Sequence, residues 1–200
     1  MITDKIVVSS KGNKIESALR QAEKVAAYKD LDEKSAMHLR LLTEEMMGMM
    51  RSITGETQGI FWIEDDEDTY QLHLQVDTQM NSEKRNQLLA ASTSGKNESA
   101  KGFMGRLRDL FDRGGDEDMV IYSNPFFMSG SLDDASTPAL DWEWSMSRYE
   151  SKLAARIQED EAARQAWDEL EKSVVSHVAD DVKVSIRGRD VEMVIYKKMT

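Results

Sequence analysis

The chain has 200 residues, 26 Lys and Arg against 37 Asp and Glu, and a formal charge of −11. That sign repels phosphate backbones and anionic lipid, and it argues against nucleic-acid and membrane-surface partners. With 40% hydrophobic and 32% charged residues the chain is globular in composition, and the lack of cysteine excludes disulfides, thiolate chemistry and Cys-based zinc sites.

The opening Met1-Ile2-Thr3-Asp4-Lys5 lacks the apolar core of a secretory leader, and no apolar run nears the ~18 residues of a membrane span. The expectation is a cytoplasmic protein. Ile6-Val7-Val8 is a short β-prone run, followed by a loop at Ser9–Asn13. Ile15, Leu19, Ala22 and Ala26 recur at helical spacing and predict a helix to about Lys29. Asp32 is placed to cap a second helix, whose stripe Leu39, Leu42, Met46, Met49, Ile53 defines one buried face.

Gly55 and Gly59 end that pattern. Ile60–Ile63 reads as a strand, Glu64–Asp68 as a solvated hairpin loop, and Tyr70, Leu72, Leu74 and Val76 as the inward face of a second strand. The alternate Gln71, His73 and Gln75 make its wet face. Helices are expected near Ser82–Ala91 and Phe103–Phe111, and a strand at Met119–Tyr122. Phe126, Phe127, Trp142 and Trp144 fall in an irregular stretch that contains both prolines. One long helix is expected over Ser147–Ala179, then a hairpin, Val182–Ile186 and Val191–Tyr196, about a Gly-containing turn.

This order predicts an α+β fold, a two-layer sandwich with a mixed sheet and helices on one face. Residues 1–111 and 180–200 form its body, and 112–179 an insertion, in a single compact domain.

Several residue sets carry candidate chemistry. Leu39-Arg40-Leu41-Leu42-Thr43-Glu44-Glu45-Met46-Met47-Gly48-Met49 runs along the second helix. Asp77 and Thr78 end the second hairpin strand. Ser92-Thr93-Ser94-Gly95-Lys96 is hydroxyl-rich and cationic, and Lys101-Gly102-Phe103-Met104-Gly105 opens a helix. Backbone N–H groups at such a start suit anions. His38, His73 and His177 are scattered, without metal-ligand spacing.

On these residues and this element order the chain resembles the histidine-kinase-like ATPase superfamily, nearest to the bacterial anti-sigma serine kinases. The resemblance covers about two-thirds of the chain. It implies an ATP site, with Glu45 at the position of the catalytic glutamate. Asp77 or Thr78 falls at the adenine-binding turn, whose glycines are missing. Ser94, Gly95, Lys96, Lys101, Gly102 and Gly105 fall at the lid and phosphate loop. Where that family places a magnesium-binding asparagine, four residues after the glutamate, stands Met49. A thioether is too soft for magnesium, so no metal site is expected.

The resulting expectation is a degenerate ATP-binding regulatory domain that acts on a protein partner or as a homodimer. Its rivals are an active anti-sigma-type serine kinase, with Glu45 as base, and an interaction module that has lost nucleotide. The aromatic density at 112–146 adds the expectation that Phe127 or Trp144 is partly exposed at an interface.

Overall fold

The computed structural model describes residues 1–9, 15–54, 58–77, 120–121, 142–187 and 190–199. In chain order the elements are β1 (Ile6–Ser9), α1 (Ile15–Tyr28), α2 (Glu33–Thr54), β2 (Gln58–Asp66), β3 (Thr69–Asp77), β4 (Val120–Ile121), β5 (Trp142–Ser145), α3 (Met146–Arg156), α4 (Glu161–Glu171), α5 (Val174–Val178), β6 (Asp181–Arg187) and β7 (Asp190–Lys198). The chain is α+β, as its pattern predicts. The helices expected at Ser82–Ala91 and Phe103–Phe111 lie outside the described residues.

The strands form one sheet in the order β1-β2-β3-β7-β6-β5-β4. Every described pairing is antiparallel, in place of the mixed sheet expected. The connections explain the difference. Hairpins join β2 to β3 and β6 to β7, and antiparallel neighbours follow from hairpins. Between β1 and β2 the chain goes out along α1 and back along α2, so it re-enters the sheet antiparallel. The helices between β5 and β6 do the same.

The two halves share one layout. Strand, helices and hairpin recur as β1-α1-α2-β2-β3 and as β5-α3-α4-α5-β6-β7. Each hairpin closes on a two-residue loop, with Asp66 opposite Thr69 in one and Arg187 opposite Asp190 in the other. The halves meet at β3 and β7, paired over nine residues from Thr69↔Lys198 to Asp77↔Asp190.

Alternation along each strand puts a single apolar row across the sheet. Phe61, Leu74, Met193, Val184 and Trp144 are register partners in turn, and all are buried. The helices cover this face. Ala18, Ala22, Leu39, Leu42, Met46, Leu153, Ala166, Leu170 and Val175 join the sheet residues in one hydrophobic cluster. Residues 142–179 are therefore part of the common core. Of Phe127 and Trp144, at least one of which is expected partly exposed, Trp144 is 8% exposed and tilts against Tyr149. Phe127 lies outside the described residues.

Local signals set the helix ends. Helix α1 stops in a Schellman arrangement: Leu31 N–H donates to Ala26 C=O and Asp30 N–H to Ala27 C=O. Asp30 is left at φ 50°, in the left-handed region. Asp32 then caps α2, its Oδ1 accepting from Ser35 N–H at 2.8 Å. The long helix expected at Ser147–Ala179 is three helices. Arg164 reaches back to the carbonyls of Ile157 and Gln158, satisfying acceptors that α3 leaves at its end. The expected loop Glu64–Asp68 shrinks to Glu67 and Asp68, because β2 stays paired with β3 as far as Asp66.

Two substitutions check this architecture. Asp30→Gly removes the left-handed strain and is expected to raise stability by about 1 kcal/mol in urea unfolding. Trp144→Ala is expected to cost about 3–5 kcal/mol, the range for a large core side chain. A loss below about 1 kcal/mol would contradict its place in the core.

Candidate functional site

Helix α2 is the centre of the helical layer, in contact with α1, β3, β7 and α5. Leu39, Leu42, Thr43, Met46, Met47, Met49 and Met50 are all buried, a wider face than the predicted stripe. Four methionines suit such a seat, since unbranched thioethers fill irregular gaps. Thr43 is accommodated because its hydroxyl donates to Leu39 C=O at 2.8 Å.

Glu45 lies at the border of this face, half-buried beside the exposed Glu44. Burial, and after it the charge of Glu44, pushes its carboxyl above the ordinary carboxylate value. One turn on, a side chain added at Gly48 would meet nothing within 4 Å, so the helix surface next to Glu45 is open. Met49, four residues after Glu45, is 2% exposed and is part of the core.

Asp77 is exposed at the end of β3, opposite Asp190 of β7. Strand alternation sends it to the face away from the helices, since Val76 beside it is buried in the core. The structure thus places Glu45 in the helical layer and Asp77 on the other side of the sheet. Thr78, Ser94, Gly95, Lys96, Lys101, Gly102 and Gly105 lie outside the described residues.

The helix-free face holds a cluster that the sequence pattern missed. His73, read as part of a wet face, is 9% exposed. Its ring stacks on Trp62 with centroids 4.7 Å apart and planes 10° from parallel. His73 Nδ1 is 3.2 Å from Glu192 Oε1, and Nε2 is 4.0 Å from Glu64 Oε1. Glu64 also accepts from the Trp62 indole at 2.8 Å, and Lys5 Nζ sits 4.0 Å from the centre of the Trp62 ring. One signal was available: Trp62 and Glu64 share a strand face, and a hairpin register would bring His73 beside Trp62. The cluster ties β2, β3 and β7 together from outside.

A second unexpected group is Asp65, assigned to a solvated loop by its five-acid run. Its side chain is 2% exposed. Lys29 Nζ, just past the end of α1, lies 2.5 Å from its Oδ2, and the Met1 amino group lies 3.2 Å from its Oδ1. Burial alone would raise this carboxyl, but hydrogen bonds and charge from Lys29 and the Met1 amino group outweigh it and hold it below its ordinary value.

Among the described residues no three His, Asp or Glu side chains converge as metal ligands. No described helix is long and apolar enough to cross a membrane. The chain matches no family model, no curated protein and no solved structure.

The Asp65 group generates a pH prediction. Its folded-state carboxyl titrates below the unfolded value near 3.8, so its stabilisation is present above that pH. It is lost as pH falls through the lower folded value. Asp65→Asn is expected to lower stability at pH 7, because it removes the carboxylate that Lys29 and the Met1 amino group share. The gap to the parent should narrow in urea titrations carried below pH 4. A constant gap down to pH 2 would contradict the charge assignment.

Proposed function

We propose that the chain is a regulatory domain built on an ATP-binding scaffold of the histidine-kinase-like type, and that it acts by binding a protein partner without metal-assisted phosphoryl transfer. The order β1-α1-α2-β2-β3 with a closing β6-β7 hairpin supports the reading, and the antiparallel pairing of every described strand, in place of the mixed sheet expected, counts against it. The observation that carries the reading is Met49. Phosphoryl transfer needs charge neutralisation at the phosphates, commonly by magnesium on hard oxygen ligands. The position four residues after Glu45 is instead a thioether sealed into the core. Any ATP held at the lid and phosphate-loop residues Ser94, Gly95, Lys96, Lys101, Gly102 and Gly105 would be bound weakly and without magnesium.

One observation favours the rival serine kinase: the Glu45 carboxyl is raised by burial, a property of general bases. Titration calorimetry with ATP separates the readings. The proposal predicts weak binding that magnesium strengthens no more than a few-fold, and no phosphate transfer to protein. Strong magnesium dependence in the parent protein would overturn it. No heat with or without magnesium would leave the pure interaction module. Because Met49 is sealed into the core, Met49→Asn is expected to lower stability in urea unfolding without creating a magnesium site.

A further inference from the structure

A groove of about 650 Å³ lies between helix α1 and the N-terminal segment that leads into β1. Ile2, Ile6 and Val25 supply its apolar surface, and Arg20, Lys24 and Tyr28 its polar rim. The wall is fixed from within, since Gln21 donates from α1 to Asp4 C=O at 2.8 Å and to the Thr3 hydroxyl. Alongside runs β1, the last strand of the sheet among the described residues, where it pairs on one side only, with β2. Val7 is 60% exposed and Ile2 67%. A free strand edge, an adjoining apolar groove and protruding side chains are the elements of recognition by strand addition.

Charge selects among strands. In a chain of net charge −11 this groove carries two rim cations. Lys24 has no hydrogen-bond or ion-pair partner among the described residues. Arg20 pairs only with Glu16, an exposed contact one turn away, which is worth little. Asp4 also lines the groove, so the cationic surplus sits on the α1 side rather than at the strand.

We propose that the β1 edge and this groove form the partner site, and that the partner presents an extended segment whose groove-facing side chains, at every second position, are apolar and acidic in turn. The backbone would extend the sheet at β1. Its apolar side chains would enter the groove over Ile6 and Val25, and its carboxylates would meet Arg20 and Lys24. The surrounding negative field would repel such a segment everywhere else, which fixes where it docks. This inference rests on the partner-binding reading above and names the chemistry of that partner.

The test uses the full chain without nucleotide, so that it reports on the partner alone; ATP calorimetry reports on the nucleotide reading separately. The probe is a fluorescein-labelled ten-residue peptide with Val and Glu in turn at every second position and Ser between them, followed by anisotropy, with Lys in place of Glu as control. The Glu peptide should bind and the Lys peptide should not. Arg20→Ala with Lys24→Ala should weaken binding about fivefold, as should 0.5 M salt. Both residues are exposed, so the fold is expected to survive. Amide signals that shift on binding should fall at Lys5–Ser9 and along α1. Equal binding of the Lys peptide, indifference to the double substitution, or shifts confined to other elements would each overturn the proposal. So would failure of the Glu peptide in a protein that sediments as a dimer with Lys5–Ser9 protected, for the edge would then serve a second copy.

Discussion

The pairing of β3 with β7 is the contact on which the rest of the molecule depends. It joins residues 69–77 to residues 190–198, more than half the length of the chain apart. Leu72 and Leu74 on one strand and Met193 and Ile195 on the other are at most 2% exposed. Burying a side chain of this size contributes about 1.5–3 kcal/mol. Joined, the two halves give one apolar face on which α2 can lie across the seam, touching β3 and β7 together. The outer cluster of Trp62, His73, Glu64 and Glu192 fastens the same strands from the other side. The seam is thus held on both faces, which matches its place at the middle of the sheet.

Much of this fold is legible in the sequence because single-strand and single-helix patterns are local. The alternation at Tyr70, Leu72, Leu74 and Val76, the Asp32 cap and the closing hairpin all depend on neighbours within a few residues. Relations between distant strands are not local. Nothing in the pattern shows that β3 pairs with β7, or that the chain is laid out as two similar halves. The strand directions also escaped, because they depend on helices packing out and back. The break of the long helix into three escaped for the same reason: Arg164 satisfying the carbonyls at the end of α3 leaves no trace in hydrophobic period.

The candidate site is less legible than the fold. Met49 is readable as core, since it lies on the stripe of α2. Glu45 is visible only through resemblance; its half-buried setting and raised carboxyl belong to the tertiary structure. Asp65 was concealed by its four acidic neighbours, and its burial follows from Lys29 and the amino group of Met1, both remote in sequence. His73 was concealed by alternation, which assigns a face but not what covers it. The groove beside β1 was invisible, since an edge strand is recognisable only once the sheet order is known. Charged and polar groups escape sequence reading where their partners lie far along the chain.

Native-state hydrogen exchange tests the central claim most directly. If the halves share one core locked at the seam, the amides of Leu72, Leu74, Met193 and Ile195 should open only in global unfolding. Their exchange free energies should then agree with one another and with the unfolding free energy from denaturant titration. The short edge strand β1 should open at a lower free energy. If β7 exchanges well below β3, or both exchange far below the global value, the halves fold as separate units and the seam is not what holds the molecule together.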